Sequence, residues 1–250
     1  MNSVAVVPVY NHGDTVSVVI DALRAHGLAV ILVDDGSEAA TARKLDALTA
    51  GMQGTEPPLR LTRHPENRGK GAAMMTGFRL ASEAGASHVL QVDADAQHDL
   101  DVVPRFLEAV RQHPGAVIAG YPRYDQSVPK GRLIARYLTH VWVWINTLSL
   151  RIVDSMCGFR LYPLAATLPL LPALHRAARM DFDTEILVRL DWEGVPIVNL
   201  PVAVHYPADG VSHFRVWRDN ARICAMHARL FFGMLWRSPR LLARHFRRDA

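Results

Sequence analysis

The chain of 250 residues is predicted to be an α/β protein, with a Rossmann-like, mainly parallel central sheet, helices on both faces and a helical C-terminal tail. Three observations predict it. β-rich apolar runs alternate with helical stretches of roughly 10–15 residues, the rhythm of βαβ crossovers. Hydrophobic residues make up 50% of the chain, enough for a substantial core. Three polar clusters, Tyr10-Asn11, Asp34-Asp35 and Asp93-Ala94-Asp95, each close an apolar run. In open parallel sheets ligands bind where loops converge at the carboxyl ends of the strands, and all three clusters fall there.

Val4 to Val9 is a short β-rich run. Val16, Val19, Ile20 and Leu23 then recur at i, i+3, i+4 and i+7 of a helix that Asp14 is placed to cap. Gly27 stops that helix, and Ala29 to Val33 is a second strand ending in Asp34-Asp35-Gly36-Ser37. Helix-forming residues to about Leu48, a Gly/Pro-rich loop and the brief strand Leu59 to Thr62 follow. Lys70 to Ala84 reads as a helix ended by Gly85, and His88 to Val92 as a buried strand running into Asp93-Ala94-Asp95. A helix from about Leu100 to Gln112 and a strand at Ala116 to Gly120 complete the first half. From Tyr121 the rhythm changes to a loop with Pro122, Pro129 and Gly131, a long helix Leu133 to Leu150, a polar-apolar segment Asp154 to Tyr162 and a strand Val195 to Val204. The expected division is a domain over residues 1–215, with a nucleotide half (1–120) and an acceptor half (121–215), then a basic tail over 216–250.

The net charge of +4 is a property of that tail, because residues 222–250 hold seven Arg against one Asp. No interleaved basic and aromatic pattern marks the rest, so no nucleic-acid partner is expected. The two cysteines, Cys157 and Cys224, are far apart and outside any zinc-ligand spacing, which fits a reducing compartment. Met1 leads straight into the first strand without a signal-peptide pattern, and the longest apolar stretches are interrupted by Arg or His before reaching the length of a span.

Asp93-x-Asp95 after a buried strand puts two carboxylates on one side of an extended loop, a spacing suited to Mg2+ or Mn2+ that also takes diphosphate oxygens. The plain reading of such a pair is a solvated turn; the matching cluster Asp34-Asp35 on the same edge favours the functional one. Asp35 is placed either to accept hydrogens from a nucleobase or ribose, or to cap a helix. Asn67-Arg68-Gly69-Lys70-Gly71 lacks the GxxxxGK pattern followed by Ser or Thr, so Lys70 either faces a phosphate or simply opens a helix. Asp183, and after it Glu185, are candidates for a base that would deprotonate a hydroxyl acceptor, or for capping the helix that begins near Ile186. No GxSxG elbow or Ser-His-Asp order suggests a covalent intermediate.

Taken in order, Pro8-Val9-Tyr10-Asn11, Val33-Asp34-Asp35-Gly36-Ser37, Asn67-Arg68-Gly69-Lys70-Gly71-Ala72, Asp93-Ala94-Asp95-Ala96-Gln97-His98, Gly120-Tyr121-Pro122-Arg123-Tyr124 and Cys157-Gly158-Phe159-Arg160-Leu161-Tyr162 resemble the family 2 glycosyltransferases, and among them the polyprenyl-phosphate sugar synthases. The resemblance implies a GT-A fold and an inverting transfer from a UDP- or GDP-sugar to a lipid-linked acceptor. It implies that Pro8, Tyr10 and Asp35 line the nucleoside pocket and that Arg123 meets the donor diphosphate; Asn11, His12, Lys70, Asp93 and Ala94 are further candidates for contacts to the donor. Asp93, Asp95 and Gln97 would surround Mg2+ or Mn2+, and Arg160 would face the acceptor; Asp95, Asp183 and Arg160 are the expected catalytic set. The chain departs from the pattern at His12, where an acidic residue usually follows Tyr-Asn, and at Ser212-His213-Phe214-Arg215, where the lipid-phosphate synthases carry Ser-Lys. A sugar nucleotidyltransferase would instead open with a GxGxRL-type loop, which is missing.

Ser238-Pro239 reads as the start of a second tail helix. Arg240, Arg244, Arg247 and Arg248 would gather on one face of it, away from Leu241, Leu242 and Phe246. This is the pattern either of a helix on an anionic membrane surface or of one packed on the domain with its Arg face in water. The expected location is cytoplasmic, peripheral at the membrane.

Overall fold

The computed structural model describes residues 1–123, 130–204 and 216–246. Tyr124, Pro129, the segment Ser212-His213-Phe214-Arg215, and Arg247 and Arg248 lie outside the described residues. Among the described residues seven strands, β1 (Ser3–Val9), β2 (Ala29–Asp34), β3 (Leu59–Arg63), β4 (His88–Gln91), β5 (Val117–Arg123), β6 (Arg160–Pro163) and β7 (Ile197–Ala203), form one sheet in the order β3-β2-β1-β4-β6-β5-β7. The helices are α1 (Val16–Ala25), α2 (Ala39–Gly51), α3 (Lys70–Glu83), α4 (Val103–Gln112), α5 (Lys130–Thr147), α6 (Leu164–Thr167), α7 (Phe182–Trp192) and α8 (Val216–Phe246).

Strand alternation divides the core. In β1, Ala5, Val7 and Val9 pack with α1 and α4, while Val4 and Val6 point to the other face, where α3, α7 and α8 close over them. All of the strand pairings are parallel except those of β6, which runs antiparallel to both β4 and β5. The reversed strand was not expected from the polar-apolar segment 154–162. It restores β5 and β7 to the direction of β4, so Arg123 ends at the same carboxyl edge as Asp34 and the Asp93-Ala94-Asp95 turn.

Two further expectations are corrected. Asp14 does not cap α1: Thr15 occupies the cap position without a side-chain capping hydrogen bond, and Asp14 pairs with Lys44. The tail does not break at Ser238, because Pro239 sits inside the single helix α8. Proline cannot donate to the Leu235 carbonyl four residues back. The Ser238 hydroxyl donates to that carbonyl instead, at 2.9 Å.

Of the described arginines expected on one outward face of the tail, Arg240 is exposed but Arg244 turns inward. Arg244 donates to the carbonyls of Asp191 and Trp192, Leu241 is buried and Leu242 is exposed. Arg237 stacks over the Trp192 ring at 4.6 Å, and Arg229 pairs with Glu185 at 2.9 Å. Basic side chains thus fasten α8 to α7. Among the described residues no helix is long and apolar enough to cross a membrane.

Candidate functional site

The loops after β1 and β2 are knitted together by side chains bonding to backbone. Asn11, held at a positive φ of 59°, accepts from the Glu38 N–H through its side-chain oxygen at 2.9 Å, and the Ser37 hydroxyl accepts from the Asn11 N–H at 3.0 Å. Asparagine tolerates this left-handed conformation better than most residues. The Asp34 carboxylate accepts from the Ser37 N–H at 3.0 Å and from Arg63 at 2.5 Å. Pro8, Tyr10, Asn11 and His12 are half-buried around this turn.

Asp35 is only 2% exposed. One oxygen accepts from the Arg68 N–H at 3.0 Å and meets the His64 ring nitrogen at 2.7 Å; the other accepts from the Gly69 N–H at 2.6 Å. Asp35 therefore anchors the loop that opens α3. Gly36 (φ +71°) lets that loop come close, since an added Cβ would lie 2.4 Å from the Glu66 carbonyl carbon.

Lys70, the first residue of α3, reaches across the carboxyl edge. Its ammonium lies 2.7 Å from Asp93 and 2.8 Å from Asp183. Burial opposes its charge, but the Asp183 and Asp93 carboxylates more than offset this, holding Lys70 well above the usual lysine range. The second oxygen of Asp183 accepts from the Gln91 amide at 2.7 Å. Asp183 stands in the first turn of α7, and its backbone carbonyl accepts from Arg160.

Arg160 faces Gln91 across the β4–β6 pair and is fully buried, holding the Asp183 backbone from within the protein. Its Nε and Nη2 atoms have no hydrogen-bond partner. Burial opposes its charge, while neighbouring Tyr162 and Asp183 raise its pKa. Burial pushes the Tyr162 hydroxyl up to about 12, and it donates to Gln91 at 3.3 Å. Glu185, the second candidate base, is 1% exposed and engaged with Arg189 and Arg229 on the far side of α7.

Asp93 and Asp95 flank buried Ala94, whose carbonyl accepts from the Thr15 hydroxyl at 2.7 Å. The turn is completed by Ala96 at φ 56° and by the Gln97 N–H donating to Asp95 at 3.1 Å. Burial works against ionisation of Asp93, yet Lys70 and His98 lower its pKa; burial and the charge of Asp93 raise that of Asp95. Two carboxylates in mutual repulsion, with a side-chain amide oxygen two residues on, suit a hard divalent cation. Among the described residues no group of three or more His, Cys, Asp and Glu could hold a metal alone. The donor set fits a cation that completes its shell with phosphate oxygens. Arg123 stands exposed at the end of β5, on the same edge.

Several contributors were not singled out from sequence. Gly158 leaves room for the Asp93–Lys70 pair, because an added Cβ would lie 2.3 Å from an Asp93 oxygen and 2.7 Å from Lys70 Nζ and would displace those side chains. Gln91 was signalled only as a polar residue within an otherwise buried strand. His98 rests 3.6 Å from the Cys157 sulfur; burial pulls its pKa down, but the Cys157 thiol and the Asp93 and Asp95 carboxylates raise it to about 8.

A family model described as Glycosyl transferase family 2 matches residues 4–165. The chain is 27% identical over 181 residues to the dolichyl-phosphate beta-glucosyltransferase of Dictyostelium discoideum, a match covering 69% of this chain and 54% of the relative. It is 26% identical over 174 residues to the undecaprenyl-phosphate mannosyltransferase of Micrococcus luteus, covering 65% and 66% respectively. The match thus spans less than two thirds of either relative. The glucosyl-3-phosphoglycerate synthase from Mycobacterium tuberculosis, in complex with Mn2+, UDP-glucose and glycerol 3-phosphate, shares the fold with a TM-score of 0.59 at 17% identity over 94% of this chain and 79% of its own.

Proposed function

The chain belongs to glycosyl transferase family 2, and from that premise we propose that it moves a sugar from a UDP- or GDP-sugar to a lipid-linked phosphate, a polyprenyl phosphate. It is a glycosyltransferase of the GT-A fold. The relatives named for dolichyl and undecaprenyl phosphates support the acceptor class.

The observation that carries the reading is the state of Asp183. A hydroxyl acceptor needs a base to take its proton in the transition state. Asp183, beside Asp93, already accepts from the Lys70 ammonium and the Gln91 amide, one donor on each oxygen. A phosphate acceptor arrives ionised and needs no base. Its oxygen attacks the anomeric carbon, the new C–O bond forms as the bond to the donor diphosphate breaks, and the electron pair leaves with the nucleoside diphosphate. Direct displacement inverts the anomeric centre.

Pro8, Tyr10, Asn11, His12 and Asp35 frame the nucleoside, and Arg123 meets the diphosphate. Asp93, Asp95 and Gln97 would hold Mg2+ or Mn2+, which when bound neutralises charge on the leaving diphosphate. Lys70 fixes Asp93 relative to Asp183, and Arg160 fixes Asp183 from beneath. We place the reaction at the cytoplasmic face of a membrane, where the free cysteines Cys157 and Cys224 suit a reducing environment.

The test supplies a panel of UDP- and GDP-sugars, Mg2+ or Mn2+, and either a short-chain polyprenyl phosphate or the corresponding alcohol, and measures sugar in the product. The expected result is transfer to the phosphate alone, with Asp183→Asn within about tenfold of the native rate. Transfer to the alcohol, reduced about 10²–10⁴-fold by Asp183→Asn, would make Asp183 a general base and the acceptor a hydroxyl.

A further inference from the structure

Inward contacts account for one side of α8 and leave the other unexplained. Phe232, Leu235 and Trp236 are 70%, 49% and 84% exposed. With Pro239 and Ala243 they recur at i, i+3, i+4, i+7 and i+11, which makes a single outward stripe. Helix α5 lies against α8 and repeats the pattern: Leu138, Trp142 and Ile145 are 58%, 44% and 37% exposed on one face. The two faces are continuous. The Trp142 ring meets Phe231 edge-on at 6.4 Å, and Phe231 meets Phe232 at 6.0 Å. A hollow lined by Val141, Trp144, Ile145 and Leu150 extends the apolar surface beyond the end of α5.

Charge on these helices is one-sided. Lys and Arg number three in α5 and six in α8, and the only acidic residue in either is Asp219, which is buried. Arg136, Arg229, Arg237 and Arg244 are used internally, against Asp154, Glu185, the Trp192 ring and the carbonyls at the end of α7. Arg218, Arg222 and Arg240 are exposed and follow one edge of the aromatic stripe, Arg222 also pairing with Asp219 at 3.3 Å and Arg240 lying 3.9 Å from Glu193.

We propose that the joined outer faces of α5 and α8 dock into the headgroup–acyl boundary of an anionic bilayer. Large apolar patches on a soluble surface mark interaction sites. Trp and Tyr with flanking Arg suit the boundary layer, where an apolar body is covered and a polar end stays wet. The charge pattern separates this occupant from a second copy of the chain. A two-fold contact would oppose the same arginine-edged faces, and the one acid on either helix, Asp219, is buried and already paired with Arg222 of its own chain, whereas anionic lipid supplies the opposing charge. The aromatic face, not a basic tip at residues 237–250, then carries the attachment. The inference goes beyond the proposed acceptor and does not depend on it.

The test uses the full chain with phosphatidylcholine vesicles, with and without phosphatidylglycerol, in a flotation assay at low and at physiological salt. Native protein should float with the anionic vesicles, and salt should weaken this. A Phe232→Ser/Trp236→Ser double variant, checked by thermal melting, should partition on the order of 10²-fold more weakly. Arg218→Glu/Arg222→Glu should lose binding to anionic vesicles while leaving any binding to neutral ones unchanged. Both variants should keep native turnover on the water-dispersed short-chain phosphate. No flotation of native protein at low salt would overturn the proposal, as would unchanged flotation of the Phe232/Trp236 variant. A dimer in analytical ultracentrifugation that the same variant dissociates would assign the face to a second copy and overturn it too. Failed flotation with intact transfer defeats only the membrane face; flotation without any transfer upholds it and defeats only the proposed acceptor reaction.

Discussion

The two halves of this molecule hold their polar groups in different ways. At the carboxyl edge of β1, β2 and β4 the partners are mostly a short side chain and a backbone group: Asn11 with Ser37 and Glu38, Asp35 with Arg68 and Gly69, Thr15 with Ala94. On the α5–α7–α8 side they are long charged side chains facing buried acids: Arg136 with Asp154, Arg229 and Arg189 with Glu185, Arg151 with Asp191. Short side chains bonded to backbone give a cradle whose shape is set before any ligand arrives. Buried ion pairs give a scaffold strong only while complete, because one missing partner leaves a desolvated charge. Lys70 joins the two through Asp93 and Asp183, and the proposed chemistry sits on that joint.

The contrast predicts unequal sensitivity. Asp154 is 4% exposed, and although burial opposes its charge, His140 and Arg136 hold its carboxyl well below the usual range. Asp154→Asn should cost about 3–5 kcal/mol in urea unfolding, while Asn11→Ala should cost only about 1 kcal/mol. Because the folded pKa of Asp154 is depressed, its stabilisation is present above the unfolded value of about 3.9 and is lost as pH falls below it. Equal losses for the two variants would erase the distinction between the halves.

A smaller effect sharpens it. His227 stacks on Trp142 at 6.0 Å in the α5–α8 seam, and burial lowers its pKa to about 4. Between that value and an unfolded pKa of about 6.5 the unfolded chain binds the extra proton, so stability falls as pH drops through this window, by at most about 3 kcal/mol. His227→Phe should flatten the slope between pH 7 and pH 5 in denaturant titrations. An unchanged slope would place the acid-sensitive group elsewhere.

Legibility in the sequence followed the same division. Strands β1, β2 and β4 and their polar ends could be read because apolar runs, breakers and acidic pairs are local signals. Strand β6 was missed: it is four residues long and includes Arg160 and Tyr162, a composition that reads as surface until Gln91 and the Asp183 carbonyl are seen to receive them. The Lys70–Asp183 contact joins residues 113 apart, which no spacing rule reaches. The break expected at Pro239 failed because Ser238 supplies the donor that proline lacks. Arg244 looked like part of a solvent face because sequence periodicity groups residues on a helix without saying which group meets a neighbour.

The central claim is that Asp93 and Asp95 capture a nucleotide-sugar through a divalent cation on a preformed edge. Calorimetric titration of UDP- and GDP-sugars into native protein and Asp95→Ala, with Mg2+ or Mn2+ and again with excess chelator, tests it directly. The account predicts cation-dependent binding of at least one donor, weakened on the order of 10²–10³-fold or abolished in Asp95→Ala while circular dichroism stays native. Donor binding of native strength in chelator, or by Asp95→Ala, would contradict it.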